Sequence, residues 1–490
     1  MMKVVGMGNK SIKRNVILNG VQQIVTLLLP FITVPYLTRV IGKDGIGTYS
    51  YTSSIIQYFI LFGTIGLSLY GTREIAYVRN NKKQCDQVFW QIQFLRMSCS
   101  TLALLVYVAI LVLFQPDYKV CMYIQIFALL ANMIDISWYY QGIEEFDKIV
   151  FRSVLCRIIG TVCIFVFVRS SNDTWIYVLI QVLILFLGNV ALWIPASKSI
   201  ESPNIDYKKV LKIIRPAIAL FIPQVAIELY AVFDKTMLGV LSTVGDVGLY
   251  AKAEEFSKIP LMLISVIAAV LFPRMSNIFA EKGEAALDVG LNNNIKLISF
   301  IGVGASFGIF GIAENFVPWM MGAEFHGSTE LMKLMAPLSF IIGLSNMIGR
   351  QYLLPSNQSR IFTITVTLGA ATNFILNILL IQRIGAVGAC IATLIAEGTV
   401  TISQFLYVRK HIEVKSYLFD LLKCVIAGIV MLVAVYFTGE FVSIQIFNTI
   451  SQIIIGILVY FIMLTLFKNP YAALFRKEAI RALKRMIRHV

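Results

Sequence analysis

Between Ile227 and Lys258 the chain reads IELYAVFDKTMLGVLSTVGDVGLYAKAEEFSK, and within it stand Glu228, Asp234, Lys235, Lys252, Glu254, Glu255 and Lys258. Both signs of charge are present, without a cysteine, a histidine or a serine–histidine pairing among them. The chemistry this set supports is reversible: holding a polar or charged cargo, or exchanging a proton or cation. Glu228 and Lys235 lie seven apart, one helical face and about 10 Å of rise. Lys252/Glu255 and Glu254/Lys258 have the i,i+3 and i,i+4 spacings that allow ion pairs. Paired charges are cheaper to embed, and they can change partners when a substrate or ion arrives. Glu397, in ATLIAEGTV, has no basic residue at pairing distance along its own helix. A buried carboxylate of that kind is a candidate for H+ or Na+ coupling; a hydrogen bond to a neighbouring helix is the competing reading. Arg39 and Arg157 are cationic candidates upstream, though an arginine so placed is more often an interface anchor than a ligand, and Asp135 is similar.

These residues sit in apolar surroundings. Residues 217–226 and 259–271 are almost wholly apolar, so both flanking helices read as membrane-embedded. Charge at such depth costs roughly 2.5–3.5 kcal/mol per residue on insertion scales. Seven ionisable groups on two adjacent spans therefore point to a wet cavity. The alternative puts Asp234, Lys235 and Lys252 at outer helix ends, reaching water.

The whole chain has this character. Its 490 residues are 58% hydrophobic and 14% charged, with a mean hydropathy of +0.78, far from a soluble domain. The expected class is an all-α polytopic membrane protein of about fourteen transmembrane helices, with span four at 119–140, span seven at 211–235, span eight at 248–271, and spans eleven and twelve at 361–381 and 385–408. The basic start is followed by an apolar segment too long for a signal-peptide core and is read as a retained span. The net charge of +15 comes mostly from Lys and Arg on loops assigned to the inner side, which places both termini in the cytoplasm and gives no sign of nucleic-acid binding. Seven scattered cysteines and three scattered histidines exclude a metal cluster and a hydrolytic triad.

Sliding the chain along itself by 201 positions aligns Gln23 with Gln224, Leu37 with Leu238, Gly47 with Gly248, Tyr49 with Tyr250 and Arg73 with Arg274. Two parallel six-helix lobes, 1–208 and 209–410, follow from this repeat, with two additional C-terminal spans at 411–467. Residues 468–490 read as a basic amphipathic helix for an anionic inner leaflet. At the repeat positions of the seven charged residues the first lobe carries Leu27, Thr33, Val34, Tyr51, Ser53, Ser54 and Gln57, so the ionic lining is expected to be unequal. The glycines of GKDGIG (42–47) fail the context of a phosphate loop, having no strand before them, and read as a tight turn.

Three runs, PYLTRVIGKDGIGTYSYT (35–52), DISWYYQGIEEFD (135–147) and GAVGACIATLIAEG (385–398), resemble those of bacterial O-antigen and capsule repeat-unit flippases of the multidrug/oligosaccharidyl-lipid/polysaccharide exporter superfamily. The resemblance implies a non-enzymatic transporter of the bacterial cytoplasmic membrane that flips an undecaprenyl-diphosphate-linked oligosaccharide by alternating access. The partners it implies are the lipid-linked oligosaccharide, membrane lipids, a polysaccharide polymerase and glycosyltransferases. Arg39, Glu144 and Glu397 belong to the matching runs. Lipid II flippases use several cavity arginines in the first lobe, where this chain has Thr33, Ser53, Ser54 and Gln57, which argues against a peptidoglycan precursor as cargo. A cation-coupled multidrug exporter on the same fold is the alternative. A membrane glycosyltransferase or polymerase would need a long outer loop that the sequence lacks.

Overall fold

The computed structural model describes the backbone of residues 2–201, 205–441, 445–474, 476–477 and 481. Side chains are described at residue 20 and from 22 onward, except at 220, 222–224, 226–227, 229–231, 267–270, 272–274, 280, 282 and 441. Among the described residues every regular element is helical, and eleven helices are long and apolar enough to cross a membrane. Large apolar side chains face outward: Phe151, Leu113 and Phe114 are 72%, 75% and 74% exposed. A soluble surface would not carry such a belt, whereas hydrocarbon solvates it. The expected tail helix falls largely outside the described residues.

The chain divides into two compact units, Met1–Gly248 and Leu249–Val490. The first contains α1 (Met2–Val40), α2 (Gly42–Thr64), α3 (Leu67–Val78), α4 (Lys82–Phe114), α5 (Lys119–Ile124), α6 (Ile126–Met133), α7 (Ser137–Gly142), α8 (Phe146–Phe167), α9 (Thr174–Ser199) and α10 (Tyr207–Leu241). Its aromatic core stacks Phe89 on Trp138 at 5.5 Å, with Tyr139 edge-on at 5.1 Å. Helix α10, which the repeat assigns to the second lobe, packs within this unit against α2. Its residue Ala217 comes close enough to Gly66, at φ +68, that a Cβ there would lie 2.8 Å from the Ala217 carbonyl.

The expected tight turn is confined to Ile41–Gly42, between α1 and α2. Gly42 alone has positive φ, at +65; Gly45 and Gly47 are buried inside α2. A helical glycine costs about 0.8–1.0 kcal/mol relative to alanine, so its presence needs a packing reason. A Cβ on Gly47 would lie 1.7 Å from the Val244 carbonyl, and one on Gly248 would lie 2.1 Å from the Lys43 carbonyl. Lys43/Val244 and Gly47/Gly248 are both pairs at the repeat spacing of 201. The contact is therefore pseudo-symmetric, each helix laying a carbonyl on the other's glycine.

The second unit contains most of α11 (Val244–Ser257), followed by α12 (Ile259–Met321, broken at Gly283), α13 (Gly327–Met335), α14 (Leu338–Ile348), α15 (Ser359–Val408), α16 (Val414–Phe441) and α17 (Gln445–Leu466). A single span over 248–271 was the expectation. Instead the helix is interrupted at Lys258, because Pro260 lacks an N–H to donate and stands at the start of α12, where proline is tolerated. Helix α15 breaks at Ile384–Gly385, between the expected spans eleven and twelve. The core of this unit joins Phe300 and Val303 of α12 to Cys424 and Met431 of α16 and Tyr460 of α17. Ala472 is buried in the same cluster, and Tyr471 donates to the Asn293 carbonyl at 2.5 Å; burial, then Asp420, pushes its phenol up to about 12.

Candidate functional site

Span four is not one helix. Its chain is divided into α5, α6 and α7 with breaks at Gln125 and Ile134–Ile136, and each break leaves carbonyls without an intrahelical donor. Inside a membrane those groups must find partners within the protein. Long side chains from other helices supply them. Gln93 donates to the Met133 carbonyl at 2.9 Å, Trp193 to the Ile134 carbonyl at 2.7 Å, and the Arg96 Nε to the Asn132 carbonyl at 2.8 Å.

Arg96 does more than cap α6. It is 1% exposed, and its Nη2 donates to the Asn132 Oδ1 at 2.8 Å and the Asp135 Oδ2 at 3.2 Å, while Nη1 donates to the Ser68 Oγ at 2.9 Å. The other Asp135 oxygen accepts from the Ser137 N–H at 2.9 Å. One guanidinium thus ties together α3, α4, the end of α6 and the start of α7. A guanidinium carries five N–H donors; these contacts use four, leaving one on Nη1.

Beside this clamp lies a cavity of about 240 Å³ within the first unit. Gln57, Tyr58 and Thr64 of α2, Ser68 of α3, Arg96, Asn132, Asp135, and Glu228 of α10 supply its polar lining. Glu228 is exposed, and among the described residues no basic side chain forms an ion pair with it. Tyr58 also donates to the Thr236 hydroxyl at 2.9 Å, which Ser54 approaches to 2.8 Å, holding α2 and α10 in register at the cavity wall.

Of the charged candidates in 227–258, Glu228 is the one that lines this cavity. Asp234 is buried at 4% exposure, and Lys235 is half-buried. The two helix spacings read from the sequence close into ion pairs: Lys252 to Glu255 at 2.7 Å and Lys258 to Glu254 at 2.6 Å. Lys252 and Glu254 are buried, so each pair carries its own neutralisation inside the second unit. Glu397 is buried at 9% exposure on α15. Arg39 is exposed and turns its Nη1 back to the Pro35 carbonyl at 2.7 Å. Glu144, at φ +63, pairs with Arg79 at 2.5 Å. Among the described residues no His/Cys/Asp/Glu group could hold a metal ion.

Arg96 was absent from the sequence candidates. A signal existed: an arginine nine residues inside a span beginning at 88 carries the same depth penalty as the other embedded charges. Its partners, 28 to 39 positions away, are what only the fold reveals.

A family model described as polysaccharide biosynthesis protein matches residues 12–279. The chain belongs to that family. An Escherichia coli (strain K12) protein named "Putative O-antigen transporter" is 26% identical over 406 residues, covering 82% of this chain and 97% of that one. A solved lipid II flippase MurJ in its inward closed conformation superposes with a TM-score of 0.70 at 19% identity, over 92% of this chain and 98% of the other. An inward-facing multidrug resistance MATE transporter gives 0.60 at 14% identity, over 79% and 94%. At these identities the two structures show the fold alone, which this chain shares.

Proposed function

We propose that the protein is a flippase for surface polysaccharide biosynthesis. Its cargo is an undecaprenyl-diphosphate-linked oligosaccharide unit, moved from the inner to the outer face of the bacterial cytoplasmic membrane by alternating access, with both chain termini cytoplasmic. The observation that carries the reading is a hydrogen-bonding cavity, built around a buried arginine, in a membrane-spanning member of a polysaccharide biosynthesis family. Sugars and a diphosphate cannot cross hydrocarbon bare: each hydroxyl stripped of water without a partner costs several kcal/mol. A route lined with hydroxyls, amides and carboxylates replaces those lost hydrogen bonds. The relative named for O-antigen transport, matched over nearly its full length, supports the same cargo class.

Deleting the gene is expected to stop surface polysaccharide export and to make lipid-linked units accumulate on the inner side, measured by extraction and mass spectrometry. Normal export in the deletion strain would sink the reading.

Coupling to H+ or Na+ through Glu397 is part of the proposal. Its carboxylate is buried in a helix of the second unit. Glu397→Gln is expected to cut export at least tenfold with unchanged protein abundance. Export by that variant that still follows a pH or sodium gradient as the wild type does would remove Glu397 from the mechanism.

A further inference from the structure

The lining of the cavity beside Arg96 holds one guanidinium and two carboxylates, Asp135 and Glu228. Arg96 and Asp135 neutralise each other at 3.2 Å, so the cavity carries the charge of Glu228, about −1. A diphosphate entering it would meet like charge, and like charges brought together repel. The same groups suit a different guest. Carboxylates, amide oxygens and the tyrosine oxygen accept from hydroxyls, and the amide N–H groups and the remaining Arg96 N–H donate to ring and hydroxyl oxygens. The volume, about 240 Å³, lies below the roughly 300–1,000 Å³ of a drug-sized site, which fits one ring rather than a whole repeat unit.

Rigidity matters as much as charge. Asn132 accepts from Thr64 at 3.1 Å and from Arg96 at 2.8 Å, and donates to Ser100 at 3.4 Å. Asp135 is fixed by Ser137 and Arg96. The wall is thus oriented before a ligand arrives, the condition under which weak polar contacts yield affinity and selectivity.

We propose that this cavity is a subsite for a single uncharged sugar ring of the cargo, which it binds through hydroxyl hydrogen bonds, and that the diphosphate is held elsewhere in the molecule. The proposal rests on the flippase reading and names which part of that cargo the first unit recognises. Glu228 accepts sugar hydroxyls, Gln57 and Tyr58 address the ring from α2, and Arg96 is a positioning residue with one N–H directed to the guest.

The test turns on the sign of a charge change. Glu228→Lys takes the cavity from about −1 to about +1. Sugar binding then loses its acceptor and export falls at least tenfold, whereas a diphosphate site would be retained or improved. Gln57→Ala, an exposed position on α2, is the second variant, expected to reduce export without lowering the thermal midpoint. In parallel, saturation-transfer NMR on the detergent-solubilised full chain is run with galactose, N-acetylglucosamine, rhamnose and inorganic pyrophosphate. Transfer to at least one neutral sugar in the wild type, abolished in Glu228→Lys, is the supporting result. The proposal is overturned if Glu228→Lys exports as the wild type does, if none of the three sugars shows transfer, or if pyrophosphate displaces the sugar signal. The two levels separate cleanly. If the deletion strain fails to export and Glu228→Lys restores it fully, the subsite falls and the flippase stands; if the deletion strain exports normally, the flippase reading itself falls.

Discussion

Replacing Arg96 with alanine is expected to destabilise the first unit more than any other single side-chain truncation in it. Four hydrogen bonds are lost at once: to the Asn132 carbonyl and amide, to Ser68 and to Asp135. What remains is worse than the loss itself, because Asp135 is left without its counter-ion and the Asn132 carbonyl at the end of α6 without its side-chain donor. Breaking a buried ion pair by removing one partner costs about 3–5 kcal/mol. At about 2–4 °C per kcal/mol for a unit of this size, the thermal midpoint should fall on the order of 10 °C. Arg96→Lys should rescue little, since one ammonium nitrogen cannot reach four acceptors spread over α3, α6 and the α6–α7 connection. Asp135→Asn should cost less than Arg96→Ala, as the amide still accepts from the guanidinium. The measurement is a melting curve of purified protein by fluorescence-detected size exclusion. An unchanged midpoint for Arg96→Ala would show that the clamp is decorative.

What the sequence made legible and what it hid differ by range. Hydropathy reported the membrane class because lipid-facing residues such as Leu113 and Phe151 need only be apolar, a property of each residue alone. The pairs Lys252–Glu255 and Lys258–Glu254 were legible because one helix turn decides them. The break at Lys258 had a local cause in Pro260, passed over because the apolar run continues through it. The three-way division of span four had none: no proline or glycine interrupts residues 119–138. The end at its second break survives on Gln93, Arg96 and Trp193, donors 40, 36 and 59 positions away. For the same reason the charge-rich segment 227–258 pointed to the cavity only through Glu228, while Arg96 and Asn132 went unnoticed. In the first unit the site is assembled from polar residues that look unremarkable one at a time.

The glycine contact yields the second large prediction. Gly47→Ala and Gly248→Ala should each abolish export, because the added methyl would stand 1.7 Å from the Val244 carbonyl or 2.1 Å from the Lys43 carbonyl. Backbone atoms cannot swing aside as a side chain can, so the helices must separate, and overpacking of this kind costs about 1–3 kcal/mol or more. Gly398→Ala is the control: its methyl meets nothing within 4 Å, and removing a helical glycine there should be neutral or stabilising by up to about 1 kcal/mol. The pseudo-symmetry adds a sharper expectation. Both glycines serve one helix–helix approach, so once either methyl has forced the carbonyls apart the second has little left to displace. The double variant should therefore cost much less than the sum of the singles, an interaction of the kind that residues sharing a contact show. Midpoints of the four proteins, wild type, two singles and double, measure it. Additive losses would mean that the two glycines relieve separate clashes and that the symmetric contact is an accident of the repeat.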